Sequence, residues 1–211
     1  YYIFKFRGKY DLIVDCENGI PFFTPLYAKE PVIGLVHHVH QEVFRTQLAL
    51  PFAKLAQFLE GTLMPIIYRN KKIITVSESS KNDLRELGFV GEVEIINPGV
   101  DLAKFAQAPK NIDPVLLYLG RLKPYKSIET LIYAMIKVVS RIPAVKLKIA
   151  GVGESEKPLK DLVAMLGLGG NVQFLGQVDE REKARLLSTS WVVVQPSMME
   201  GWGITAIEAN A

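Results

Sequence analysis

The chain has 211 residues, enough for one large or two small domains, and at 49% hydrophobic and 22% charged it can bury a real core. Its net charge of +3 arises from scattered Lys and Arg, which does not argue for nucleic acid and suits a small acidic ligand or an anionic membrane surface equally well. No run approaches the roughly 18–20 apolar residues that span a bilayer, no signal peptide is read, and the lone cysteine, Cys16, permits no intrachain disulfide, so a cytoplasmic, reducing setting is expected.

Taken in order, short Val, Ile and Leu runs alternate with amphipathic stretches. Strands are expected at 11–15 and 32–36, the second ending in three clustered histidines, His37, His38 and His40. A strongly apolar helix with basic ends follows at 52–68. It suits packing on a sheet or lying on a membrane surface, and both readings stay open. Next come a strand at 73–76, a helix at 79–87 and a strand at 93–96. Residues 103–114 then lose any period, with Pro109 and Pro114 bounding the second half. A fresh alternation begins with a strand at 115–119. It continues through a helix at 128–141, a strand at 145–150, a helix at 156–166, a strand at 172–175, a helix at 180–188, a strand at 191–194 and a helix from Gly203 onward. In the 128–141 helix, Ile128, Leu131, Ile132, Met135, Val138, Val139 and Ile142 share one face. Most strands are apolar throughout, as strands buried on both faces are. The expected fold class is α/β, with two doubly wound parallel-sheet, Rossmann-like domains at 1–108 and 109–211. The chain starts without methionine and stops inside a helical pattern, so it reads as a piece cut at both ends, with both domains incomplete.

Several strand ends carry chemistry. The 115–119 strand runs into Gly120-Arg121-Leu122-Lys123-Pro124-Tyr125-Lys126-Ser127. Ligands of open α/β sheets sit beyond the carboxyl ends of strands. There Arg121 can grip two phosphate oxygens in a fork and Lys126 can add a mobile point charge, or both can be ordinary solvated cations. Gly151-Val152-Gly153 permits close backbone approach to a ligand or is a plain turn. The strand at 172–175 runs into a glycine loop, Gly176-Gln177, that can offer backbone groups to a nucleobase. After the strand at 191–194 comes Pro196-Ser197-Met198-Met199-Glu200-Gly201-Trp202-Gly203-Ile204, with Glu208 further on. A glycine turn opening a helix directs free N–H groups at an anion, and two carboxylates beside it suit a ligand that also bears hydroxyls. The histidine cluster lacks an accompanying ligand set, so no metal is expected. One imidazole faces a ligand, or the cluster packs and caps a strand end; both stand open.

The ordered set Gly-Arg-Leu…Lys, Gly-x-Gly, Phe-Leu-Gly and Pro-Ser-x-x-Glu-Gly-x-Gly-x-x-x-x-Glu-Ala resembles the group 1 (family 4) glycosyltransferases of GT-B fold. The segments Thr75-Val76-Ser77 to Leu84 and Ile95-Ile96-Asn97-Pro98-Gly99-Val100-Asp101 extend the resemblance into the first half of the chain. The resemblance implies retaining transfer of a sugar from a nucleotide-diphosphate sugar to a glycan, lipid or small-molecule hydroxyl, with no cofactor and no metal. By this resemblance Arg121 and Lys126 hold the diphosphate and Glu200 contacts the sugar. The N–H groups at Gly201, Trp202, Gly203 and Ile204 meet phosphate or sugar, Glu208 binds the ribose, and His37 faces the donor sugar, with His38 as the rival. Trp202 stands where Phe is commonest in the family, and Ser127 where Gly often follows the lysine. A nucleotide-sugar epimerase, a phosphorylase or a non-catalytic sugar-nucleotide-binding scaffold are the competing readings. The implied partners are donor and acceptor, with no nucleic acid, and peripheral contact with the inner face of the membrane is an alternative left open.

Overall fold

The computed structural model describes residues 5–105 and 107–211; Ala106 of the expected break and residues 1–4 lie outside them. The chain forms two compact units, Tyr1–Pro98 and Gly99–Ala211. The division falls earlier than the 108/109 boundary expected from the prolines. The reason is Phe105, which packs against Leu117, Ala150, Leu186 and Leu187 of the second unit.

The first unit is a parallel sheet in the order β1-β2-β3-β4, formed by Ile13–Glu17, Val32–Val36, Lys72–Thr75 and Val93–Ile95. Its register pairs Glu17 with Val36 and Val36 with Thr75, so the strands end level. Helix α1 (Gln41–Gln47), which the sequence reading lacks, follows β2. The expected 52–68 helix is interrupted: α2 (Leu50–Phe58) passes through a π-helical turn at Leu59–Leu63 into α3 (Met64–Ile67). Pro65 has no N–H and its ring would crowd the carbonyl four residues back, and the wider π turn before it relieves that clash. α4 (Glu78–Glu86) is capped at its N-terminus by Ser77, whose hydroxyl accepts from the Ser80 N–H at 3.2 Å.

β1 departs from the expectation of apolar burial. Its inward residues are Asp15 and Glu17, both 3% exposed, while Val14 and Cys16 are exposed. Asp15 accepts the Tyr68 hydroxyl proton at 2.5 Å and the Thr24 N–H at 3.4 Å. Burial, then the neighbouring carboxyls of Asp15 and Glu60, push the Glu17 carboxyl up to about 8. Tyr68 also belongs to an apolar cluster with Val36, Met64, Ile73, Leu84, Phe89 and Val93.

The second unit is a parallel sheet in the order β7-β6-β5-β8, formed by Val172–Gly176, Lys146–Ala150, Val115–Leu119 and Val192–Val193. The connecting helices are α5 (Ile128–Arg141), α6 (Glu156–Met165) and α7 (Glu180–Thr189), and α8 (Ile204–Asn210) follows β8. β5 is buried on both faces in strict alternation: Leu116 and Tyr118 face the α5/α6 core, and Leu117 and Leu119 face the α7 core. The α5 face is as expected except for Ile142, which lies past the helix end and is 46% exposed. The chain proceeds from β5 to β6 and β7 on one side, then returns to place β8 on the other. That reversal makes the gap beyond β5 and β8 the topological switch point of the sheet, the place where open α/β sheets receive ligands.

Candidate functional site

The loops after β5 and β8 border this switch point, and they carry the polar residues singled out in the sequence. Tyr118, near the end of β5, is 1% exposed and donates its hydroxyl to the Arg121 carbonyl at 2.9 Å. Burial, followed by the charge of Glu200 and by Tyr125, raises its pKa, so it stays a neutral donor across the physiological range. Arg121 is exposed and donates to the Tyr125 hydroxyl at 3.0 Å. A 3-10 turn, Pro124–Lys126, then delivers Lys126 to the site.

Lys126 donates to Glu200 Oε1 at 2.6 Å, and the two side chains are 13% and 30% exposed. Their backbones are also laced, because Met198 N–H donates to the Tyr125 carbonyl at 2.9 Å. Cation and carboxylate therefore meet from two loops that only the crossover topology makes neighbours. Lys126 also sits 5.0 Å from the Tyr125 ring centre, within cation–π range.

Ser127 takes a left-handed conformation, φ 48° and ψ 39°, at the N-cap of α5 and is buried. Its side chain gives no capping bond, so the position demands a backbone that glycine adopts more cheaply.

The Gly-x-Gly turn after β6 packs against the loop that follows β5. A Cβ on Gly151 would lie 1.9 Å from the Gly120 oxygen, and one on Gly153 would lie 2.3 Å from the Leu122 oxygen. Leu122 N–H donates to the Val152 carbonyl and Ser155 N–H donates to the Leu122 carbonyl, each at 3.0 Å. The glycines thus admit the Arg121 loop itself, backbone against backbone.

After β8, Glu200, Gly201 and Trp202 form the turn and Gly203 is the N-cap of α8 at φ 69°. Ile204 begins the helix, whose first-turn amides have no side-chain cap. Glu208, one turn on, meets Lys183 of α7 at 2.9 Å, with the two side chains 12% and 16% exposed. Lys183, Tyr118 and Tyr125 are the residues that sequence reasoning missed. Tyr125 was at least signalled by its place inside the Arg121–Lys126 loop, whereas Lys183 reads as one more cation on an amphipathic helix.

In the first unit, His37 is exposed at the carboxyl end of β2, its carbonyl accepting the Ser80 hydroxyl at 2.8 Å. His38 packs its ring 4.0 Å from His40, and His40 is buried against Phe44. The His40 N–H donates to Glu60 Oε1 at 2.7 Å, and Gln41 donates to Glu60 Oε2 at 2.8 Å. His40 is therefore packed into the fold with half-buried His38 against it, and among the described residues no three His, Cys, Asp or Glu side chains converge to hold a metal.

The chain matches two family models: glycosyl transferases group 1 over residues 100–211, and glycosyltransferase family 4 over residues 2–104. It is 35% identical over 214 residues to the phosphatidyl-myo-inositol mannosyltransferase of Mycolicibacterium smegmatis, covering 97% of this chain and 52% of that protein. It is 30% identical to the glycogen synthase of Mycobacterium tuberculosis over 69% of this chain and 36% of that protein. Among solved structures, sucrose-phosphate synthase from Thermosynechococcus elongatus matches 99% of this chain and 55% of its own, with a TM-score of 0.76 at 24% identity. HepE from Anabaena, in complex with UDP-glucose, matches 95% of this chain and 57% of its own, with a TM-score of 0.70 at 19% identity. The chain thus spans about half the length of the mannosyltransferase and about a third of the glycogen synthase. Two family models that together run from residue 2 to 211, and two parallel α/β units of the GT-B kind, lead to one conclusion: the chain belongs to the group 1 (family 4) glycosyltransferases.

Proposed function

We propose that the protein transfers a sugar, with retention of anomeric configuration, from a nucleotide-diphosphate sugar to an acceptor hydroxyl. The observation that carries this reading is the 2.6 Å Lys126–Glu200 contact at the switch point of the second unit. A diphosphate departing there meets Arg121 and Lys126 as negative charge grows on it, and fixed cations act most strongly on charge that develops in the transition state. Glu200, one residue before Gly201, accepts hydrogen bonds from the sugar hydroxyls and fixes the ring. The uncapped amides that follow Gly203 face phosphate or sugar oxygens. Glu208 accepts from the ribose. The acceptor hydroxyl attacks on the face the diphosphate leaves, and a phosphate oxygen takes its proton. Positioning and leaving-group stabilisation supply the catalysis, with no protein nucleophile, metal or cofactor. UDP-glucose bound in HepE supports a nucleotide-sugar donor.

The name of the mannosyltransferase relative supports a lipid-borne acceptor. So does α2, which leaves Leu50 and Phe52 68% and 66% exposed, with Leu55, Phe58 and cationic Lys54 beside them. An apolar helix with basic residues suits the cytoplasmic surface of a membrane. Sedimentation with anionic phosphatidylglycerol vesicles tests this part: Phe52→Ser should reduce the bound fraction, and equal sedimentation of both proteins would contradict it.

The donor reading is tested by thermal shift with UDP-, GDP- and ADP-sugars, because a ligand that binds the native state raises its melting temperature by mass action. One of the three should stabilise the protein, and Lys126→Ala should abolish the shift. A protein that responds to none of them would contradict the nucleotide-sugar donor.

A further inference from the structure

Glu208 stands on α8, yet the group that holds it belongs to α7. Lys183 Nζ lies 2.9 Å from Glu208 Oε1 and 3.1 Å from Glu180 Oε2. Among the described residues it is the one side chain that hydrogen-bonds to Glu208. The three groups are not equivalent. Glu180 is 76% exposed, whereas Lys183 and Glu208 are 16% and 12% exposed, so the buried contact is the one between α7 and α8. Burial works against charge on Lys183, and the hydrogen bonds it donates to Glu208 and then Glu180 outweigh it, leaving the ammonium's pKa raised. Among the described residues Glu208 Oε2 takes part in no hydrogen bond, and it is not a buried orphan, so it keeps access to solvent.

The arrangement divides the work of one carboxylate. One oxygen is anchored by an ammonium and the other is open for a pair of vicinal hydroxyls. A glutamate with free rotation would lose side-chain entropy each time it bound, and an anchored one has already lost it. Lys183 also neutralises a carboxylate that would otherwise face a diphosphate with like charge. Its backbone is well placed for this. α7 is fixed at its start by Asp179, whose side chain accepts the Glu182 N–H at 2.7 Å, and Leu186 and Leu187 of the same helix are buried under β5. The lysine rises from the first turn of that helix, just beyond the carboxyl end of β7.

We infer that Lys183 is a positioning residue of the donor site, holding Glu208 so that its second oxygen meets the ribose hydroxyls. The inference rests on the ribose role proposed for Glu208, and the test separates the two. UDP, GDP and ADP are titrated calorimetrically into the protein, and the one that binds is compared with its 2′,3′-dideoxy counterpart. Lys183→Met should weaken the ribose form roughly tenfold, about the loss of one charge-assisted hydrogen bond, and leave the dideoxy form unchanged. Lys183→Arg should bind both forms within about threefold of wild type. In the Glu208→Gln background, Lys183→Met should add no further loss. If Glu208→Gln weakens the ribose form while Lys183→Met does not, the positioning role is refuted and the ribose role survives. If Lys183→Met weakens both nucleotide forms equally, the lysine is merely structural. If Glu208→Gln binds like wild type, or if no diphosphate binds at all, the underlying donor-site reading falls. Should Lys183→Met fail to fold, Lys183→Arg and Lys183→Gln together carry the same comparison.

Discussion

Gly153→Ala puts the Arg121 loop under a defined load. The added Cβ would stand 2.3, 2.7 and 2.8 Å from the oxygen, carbon and nitrogen of Leu122, where ordinary contact begins near 3.4 Å, so that backbone must retreat by about 1 Å. Leu122 is fully buried and its N–H and carbonyl are bonded to Val152 and Ser155. Overpacking costs roughly 1–3 kcal/mol, and two stretched hydrogen bonds add roughly 0.5–1.5 kcal/mol each. The total, on the order of 2–6 kcal/mol, corresponds to a fall in melting temperature of roughly 4–24 °C for a protein of this size. The same shift disturbs the neighbouring Arg121, and a guanidinium moved off its phosphate loses a charge-assisted hydrogen bond, on the order of tenfold or more in affinity. Denaturant unfolding and nucleotide-diphosphate titration read the two effects, with Gly169→Ala, which meets no atom within 4 Å, as the control. The reasoning is refuted if Gly153→Ala unfolds and binds as the control does.

Ser127→Gly should stabilise the protein by about 0.5–1 kcal/mol, because the left-handed backbone at φ 48° then carries no Cβ penalty; urea titration measures it, and destabilisation would show that the serine holds an unrecognised contact. Glu17, buried and raised from 4.5 to about 8, stabilises the fold while protonated. That contribution is full below about pH 4.5 and is lost as pH rises through about 8, a difference on the order of 5 kcal/mol. Glu17→Gln should therefore flatten the fall in stability between pH 5 and pH 9, and parallel pH profiles of variant and wild type would contradict it. Tyr68→Phe removes the donor to buried Asp15 and should cost roughly 1–3 kcal/mol in the same unfolding assay, where a neutral result would show that the hydrogen bond carries no net stability.

The second unit was legible because its strands are buried on both faces and its helices keep a clean 3.6-residue period. β5 and α5 lie where the pattern puts them. The first unit was less so. Gln41–Gln47 offers only Val43 and Phe44 as apolar residues, too few to mark a helix, and the apolar 52–68 run conceals a π turn imposed by Pro65. β1 turns Asp15 and Glu17 inward, which hydropathy reads the wrong way round. In the site, Arg121, Lys126 and Glu200 were legible one at a time, since each follows a strand end. Their meeting was not, because Lys126 and Glu200 are 74 residues apart and Lys183 and Glu208 are 25 apart. Such pairs are set by the return of β8 to the far side of β5. The close approach that Gly151 and Gly153 permit was legible, but not that the backbone they admit is that of Gly120 and Leu122.

Retaining transfer at the Lys126–Glu200 site, as proposed, is tested most directly by the configuration of the released sugar. Proton NMR can follow slow turnover of an α-linked nucleotide sugar, whichever of the UDP, GDP or ADP forms binds. The sugar should first appear as the α anomer, before mutarotation, and Lys126→Ala or Glu200→Ala should each slow its appearance at least tenfold, on the order of 1.4 kcal/mol in the barrier. A first-formed β anomer, or full turnover in either variant, would contradict the account.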